Sequence, residues 1–323
     1  KINGKDDLYF CGNSLGLQPK TAASYLEKEL AAWATMGVDG YFHGEDPWYS
    51  VRKKSKPILA QILGALPEEV VAMNYLSVNL HLLMVSFYQP TPTRFKIIVE
   101  GGAFPSDQYA VDSQLKHHGI DPAQGLIEVD TAAQRDLDPT TSIVDAIRSA
   151  GDQTAVVLLG AVQYYSGAFF DVPTVVRESH QVGALVGLDL AHAAGNVPLS
   201  LHEWGVDFAC WCSYKYLNSG PGGPGGLFVH ERHHHRRDLG RFEGWWGHDE
   251  KSRFEMPRHF VPAPGAEAWQ LSNAQVMAMA PHAVALEIHD RAGMERLRIK
   301  SLRLTAMLEQ ILQEFLASPQ EKL

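Results

Sequence analysis

Apolar runs and polar punctuation alternate along most of the chain. Lys96-Ile97-Ile98-Val99, Ala155-Val156-Val157-Leu158-Leu159, Leu185-Val186-Gly187-Leu188, Phe208-Ala209-Cys210-Trp211-Cys212 and Gly226-Leu227-Phe228-Val229 are short and almost continuously apolar. Runs of this kind read as strands buried on both faces. Val70-Val71-Ala72-Met73 reads as a shorter strand ahead of them. Elsewhere apolar residues recur at helical spacing. One helix opens at Pro19 and Thr21 and carries Leu26, Leu30 and Trp33. A second amphipathic stretch runs from about Val51 to Leu63. Leu80, Leu83 and Phe87 follow Ser77, which is expected to cap their helix. Another helix lies near Val172–Val182, and a last helical stretch over about 281–316 carries Leu297, Leu302, Leu308, Ile311 and Leu312. Segments 37–50 and 101–107, rich in Gly, Pro and aromatic residues, read as loops. Buried strands separated by helices predict an α/β fold, with a mostly parallel sheet covered by helices on both faces.

Composition narrows the function. The chain has 323 residues, of which 45% are hydrophobic, enough for a large core. Its formal net charge of −9 argues against nucleic acid as a partner. No apolar run approaches the roughly 20 residues that span a bilayer, so no membrane role is expected. The first residues lack a signal-peptide pattern. The three cysteines, Cys11, Cys210 and Cys212, are too sparse for a disulfide framework. Free thiols and a cytoplasmic location are the simplest expectation. A metal site at Cys210 and Cys212 lacks further ligands at suitable spacing. His233, His234 and His235 diverge by about 100° each on a helix and are read as solvated. No metal is therefore expected.

Chemistry-bearing side chains gather where strands end, which is where open α/β sheets bind ligands. Asp189 closes the run Leu185–Leu188, and His192 follows one short turn later. Lys215 follows Phe208–Cys212 between Tyr214 and Tyr216, ahead of the flexible stretch Gly220–Gly226. Ser77 and Phe104 lie just beyond two earlier strands. Alone, each has an ordinary explanation: a surface lysine, a turn aspartate, an N-cap serine, a core phenylalanine. Together they match the parts that pyridoxal phosphate (PLP) needs. These are a lysine to hold it, an acid against its ring nitrogen, an aromatic or imidazole face, and a helix N-terminus for its phosphate.

Whole segments carry a closer resemblance. Asn13-Ser14-Leu15-Gly16-Leu17-Gln18-Pro19, Val78-Asn79-Leu80-His81-Leu82-Leu83-Met84, Ala103-Phe104-Pro105-Ser106-Asp107-Gln108-Tyr109, Asp189-Leu190-Ala191-His192-Ala193-Ala194-Gly195-Asn196, Trp211-Cys212-Ser213-Tyr214-Lys215-Tyr216-Leu217-Asn218 and Gly244-Trp245-Trp246-Gly247-His248 resemble the signature segments of the kynureninases, and in the family's order. The resemblance implies the fold-type-I PLP-dependent transferase fold. It divides the chain into an N-terminal segment and pocket loop (1–50), a large PLP-binding domain (51–280) and a partial C-terminal small domain (281–323). The rest of that small domain, with the arginine for the substrate carboxylate, is expected beyond Leu323.

The implied activity is hydrolysis of L-kynurenine, or its 3-hydroxy form, to anthranilate or 3-hydroxyanthranilate and L-alanine. Lys215 would hold PLP, Asp189 would pair with the ring nitrogen, and Tyr214 would relay protons and share the phosphate with Leu76 and Ser77. Phe104, Pro105, Ser106, Asp107 and His192 would surround the cofactor. Gly160 stands where relatives often carry a hydroxyl residue. Trp245 and Asn273 match residues donated across a homodimer with shared sites, and Ser14, Tyr41 and Trp48 match positions lining the kynurenine pocket. The rival readings are a cysteine desulfurase, a class-V aminotransferase, or a truncated non-catalytic partner of the same fold. A desulfurase needs a mobile reactive cysteine, whereas Cys210 and Cys212 sit in an apolar run.

Overall fold

The computed structural model describes residues 4–6, 8–131 and 138–317. Among them the elements run α1 (Ala22–Met36), α2 (Lys56–Leu63), β1 (Val70–Ala72), α3 (Leu76–Phe87), β2 (Lys96–Glu100), α4 (Pro105–His117), α5 (Pro122–Gly125), β3 (Leu126–Val129), α6 (Pro139–Ala150), β4 (Thr154–Gly160), α7 (Val172–Gln181), β5 (Leu185–Asp189), α8 (Leu201–Trp204), β6 (Phe208–Cys212), β7 (Gly225–Val229), α9 (Val276–Ala292) and α10 (Met294–Ala317). The strands form one sheet in the order β1-β7-β6-β5-β4-β2-β3. Neighbours from β3 across to β6 pair in parallel, while β7 runs antiparallel to both β6 and β1.

The central strands are apolar throughout because both faces are covered. On one face Leu59, Leu63, Ile143, Ile147, Val175 and Leu201 pack over the sheet. On the other, Leu83, Phe87, Val111, Leu115 and Trp269 do the same. Two glycines let large rings lie flat on the sheet. A Cβ at Gly187 would stand 2.2 Å from the Phe208 ring, and one at Gly226 would stand 2.1 Å from the Trp211 ring. β7 alone is reversed, and the other six strands run in one direction and share a carboxyl edge.

Several local expectations are corrected. Ser77 does not cap α3. It is the second residue of that helix, Tyr75 takes the cap position, and no side chain caps it. The stretch from Val51 to Leu63 divides into a 3₁₀ turn over Trp48–Lys54 and α2, with Ser55 between them and Pro57 in the first turn. Proline is tolerated there because a first-turn N–H has no helical acceptor. Segment 101–107 is not all loop, since α4 begins at Pro105. β3 and α6 were not anticipated. β3 is a four-residue edge strand, only its last residue is buried, and its pattern is too short to stand out.

The periodic apolar positions at the two chain ends do not face the core described here. Leu30 and Trp33 of α1 are exposed, and no residue of α10 is buried. His233 is not solvated. It is buried and donates from Nε2 to Asp207 Oδ1 at 2.8 Å. Among the described residues, Glu69, His202 and His230 bring three potential ligand atoms within 4.8 Å of one another. Hydrogen bonds already occupy this carboxylate: Oε1 accepts from the Glu231 N–H and bonds His202 Nδ1, and Oε2 accepts from the Leu66 N–H. No described helix is long and apolar enough to cross a membrane.

Candidate active site

The carboxyl edge of the sheet opens into a cavity of about 190 Å³. β2 ends in Glu100, β4 in Gly160 and β5 in Asp189, while the turn after β6 brings in Tyr214 and Lys215. That turn is held from outside. The Gly16 N–H donates to the Tyr214 carbonyl at 2.8 Å, and a side chain at Gly16 would collide with the Lys215 carbonyl. Asn218 Nδ2 donates to the Leu17 carbonyl. The segment around Asn13–Leu17 is therefore a brace for the lysine turn.

Lys215 Nζ lies 3.1 Å from His192 Nε2. Burial, with Lys215 beside it, pushes the imidazole down to about 4, so it is neutral at ordinary pH and can accept from the lysine amine. His192 Nδ1 faces the Tyr216 hydroxyl at 3.3 Å. The Phe104 ring centre is 5.9 Å from Lys215 Nζ, and Tyr164 packs edge-on against Phe104. Burial raises the Tyr214 hydroxyl to about 12 and the neighbouring Cys212 thiol to about 11.

The floor of the cavity is a carboxyl pair. Asp189 is buried and accepts from the Ala191 N–H at 2.7 Å. Asp107 on α4 hydrogen-bonds to it, and burial together with the Asp189 charge pushes Asp107 up to about 10. Two carboxyls sharing a buried site cannot both ionise. Asp107 holds the shared proton. Burial raises Asp189 as well, and the Asp107 bond, the Ala191 N–H and Lys215 oppose that rise without cancelling it.

The residues fit PLP. The cavity offers a lysine amine and an anionic carboxylate at its floor, with aromatic rings beside the lysine. At its rim stand Leu76 and Ser77, whose backbone N–H groups open α3 and have no acceptor within the helix. Gly225 keeps that approach clear, since a Cβ there would stand 3.2 Å from the Leu76 nitrogen. Ser106 lines the cavity and reaches Asp107 Oδ1 at 3.4 Å, whereas Pro105 opens α4 without lining the cavity. Ser14 is exposed two residues from the bracing Gly16.

Tyr41, Trp245 and Asn273 come together somewhere else. They line a second cavity of about 340 Å³, with Phe42, Tyr49 and Phe254, that shares no lining residue with the first. Asn273 Nδ2 donates to the Tyr41 hydroxyl at 2.9 Å. Trp48 lines neither cavity. It is buried, its indole N–H donates to Glu29 at 2.6 Å, and its ring meets Tyr41 edge-on. Within the chain it anchors the loop, because Gly40 leaves it room: a Cβ there would be 2.9 Å from the ring.

Sequence reasoning missed Glu100, Tyr164 and Tyr216. A charged residue closing an apolar strand at the carboxyl edge is the signal that marks Glu100. Tyr164 and Tyr216 carry no comparable pattern.

The fold and site together define an α/β enzyme of the class-V aminotransferase type, and the model of that family, "Aminotransferase class-V", matches residues 108–317. A cysteine desulfurase from Thermococcus onnurineus superposes with a TM-score of 0.73 over 95% of this chain and 73% of its own, at 19% identity, a likeness of fold alone. Sequence comparison is more specific. The chain is 53% identical over 310 residues to a kynureninase of Myxococcus xanthus, covering 96% of this chain and 73% of the relative. It is 48% identical over 314 residues to a kynureninase of Christiangramia forsetii, covering 97% and 74%. The chain belongs to the kynureninase family.

Proposed function

We propose that the chain hydrolyses the Cβ–Cγ bond of kynurenine-type substrates, with PLP held at Lys215. The observation that carries this reading is the joining of Lys215 Nζ, His192 and the Asp107–Asp189 carboxyl pair in a single cavity. When bound, PLP supplies a ring that draws electrons from the carbon beside the substrate amine. Asp189 presents the negative charge that keeps the ring nitrogen protonated, and Asp107 orients Asp189 by donating to it. The α3 N-terminus, Ser77 and Tyr214 hold the phosphate.

Lys215 is the base for the substrate α-proton, since a positioned amine within reach of that carbon suits general base work. His192 at 3.1 Å steadies the amine and, being neutral, adds no charge to oppose it. Tyr214 is the proton donor and acceptor as water adds to the ketone and the carbon–carbon bond breaks. The three cysteines are free, which suits the cytoplasm. The desulfurase reading finds less support, because Cys210 and Cys212 are buried with thiols raised by burial.

The test is product analysis. Holoprotein given L-kynurenine should release anthranilate and alanine, and Lys215→Ala should release neither. Release of sulfide from cysteine, with kynurenine untouched, would reject the reading.

The second cavity belongs to the same reading. Tyr41, Trp245 and Asn273 form an aromatic pocket with a polar edge, away from Lys215 in their own chain. In a homodimer with shared sites, that pocket is the wall one copy presents to the other's Lys215. Mixing Lys215→Ala chains with Trp245→Ala chains should then restore part of the activity that each lacks. An active monomer in sedimentation would contradict it.

A further inference from the structure

Glu100 is a buried carboxyl to which the mechanism above gives no task. It closes β2, and Gly160 and Asp189 close the next two strands across the sheet, with Gly160 and Asp189 in register. Its Oε2 accepts from the Gly160 N–H at 2.8 Å. A Cβ at Gly160 would stand 3.1 Å from Oε1, so the absence of a side chain there makes room for this carboxyl. Glu100 is 3% exposed and lines the Lys215 cavity. Its other side faces a void of about 10 Å³ among Val99, Val111, Leu126 and Leu158.

We propose that Glu100 is a positioning residue. It stands as a neutral third carboxyl beside the Asp107–Asp189 pair, and so leaves that pair a single, correctly placed negative charge. The proposal rests on the reading that Asp189 faces the PLP ring nitrogen. The titratable groups lining the two cavities are Asp107 from α4, Tyr164 after β4, Asp189 and His192 from the end of β5, and Cys212, Tyr214 and Lys215 from the end of β6. Lys215 is the cation of this set, and it faces carboxyls from three elements. One anion at the floor balances it, whereas a second, buried beside the first, would be opposed by both desolvation and like charge, with the Gly160 N–H as its donor. Burial, with the Asp189 charge added, lifts Glu100 to about 8. A purely structural Glu100 would only strap β2 to β4 through Gly160, and a glutamine oxygen would serve that end whatever the pH.

The sign of the pH effect follows. An unfolded glutamate ionises near about 4.3, whereas the folded one keeps its proton until about 8. Between those values the native state binds the extra proton, so stability is greatest at the acid end and falls as pH rises. Asp107 contributes in the same direction.

The experiment begins on apoprotein, comparing wild type with Glu100→Gln by denaturant unfolding from pH 5 to 8.5. Wild type should lose stability with a slope one proton steeper than the variant, and equal slopes would overturn the proposal. A second measurement needs no variant. Infrared spectra of wild type carrying isotope-labelled glutamate should show a protonated glutamate carbonyl band at pH 7, and its absence would overturn the proposal. On holoprotein, Glu100→Gln should keep PLP and its lysine-linked absorbance, but lose the part of that absorbance's pH dependence that falls near 8. A folded variant unable to retain PLP, or one with an unchanged titration, would also overturn it. The apoprotein arms stand even if Lys215 does not hold PLP, so failure of that reading is recognisable separately.

Discussion

Two buried aspartates lie at opposite edges of the sheet, one ending β5 and the other just ahead of β6. Asp207 is surrounded by donors. His180 and His233 bond its two oxygens at 2.9 and 2.8 Å, and the Val186 N–H adds a third bond at 2.7 Å. Burial works to raise this carboxyl, but those bonds win and hold it well below the usual range. Asp189 accepts from one backbone N–H, shares a proton with Asp107, and stands near a third carboxyl, Glu100. One carboxylate is complete without a ligand, and the other is short of donors and faces a cavity. Burial alone does not distinguish a structural acid from a functional one. What distinguishes them is whether the protein itself satisfies the charge.

Exchanging the two aspartates for neutral residues sharpens this contrast most. Asp189→Asn should leave the apoprotein's melting temperature the same or higher, while turnover falls by roughly a hundredfold to ten-thousandfold, as for loss of a positioned catalytic acid or base. Asp207→Ala should do the reverse to the fold, because the buried His233 ring and the Val186 N–H each lose their acceptor, at about 1–3 kcal/mol for each buried group left unsatisfied. Near-normal turnover in the first variant, or unchanged stability in the second, would break the contrast. The pH arm has a definite sign. Asp207 is depressed in the native state, so its contribution is present above the unfolded value of about 3.9 and is lost as pH falls through its native value. The stability gap between wild type and Asp207→Asn should therefore narrow in acid.

A smaller effect separates the two aromatic residues of the loop at 37–50. Trp48→Ala should cost about 3–5 kcal/mol of stability, as a buried ring leaves a cavity and Glu29 loses its donor. Tyr41→Phe removes only the oxygen that accepts from Asn273, about 1 kcal/mol. Its effect should appear instead in the KM for kynurenine, if the second cavity reaches the partner's site. Thermal melts and Michaelis kinetics on both variants check this. A stable Trp48→Ala with a raised KM would return Trp48 to a substrate-lining role.

Much of the sheet was legible in the chain because a strand covered on both faces leaves an uninterrupted apolar run, and its end leaves a polar residue with a purpose. Asp189 and Lys215 stood out for that reason. β3 did not, since a four-residue edge strand with one buried residue leaves almost no pattern. Trp48 and Tyr41 share the same loop composition, and only packing separates an anchor from a cavity wall. The apolar faces of α1 and α10 have helical periodicity, but periodicity does not name what covers them. Glu100 was missed although it closes an apolar run, and its relation to Gly160 is a contact between strands that sequence spacing does not express.

The central claim is that Lys215 is the residue that holds the cofactor. Holoprotein reduced with borohydride and digested should yield one pyridoxyl-modified peptide, carrying the added mass on Lys215, with loss of the yellow absorbance and of activity in step. Modification at another lysine, or no modification while kynurenine is still cleaved, would contradict the account.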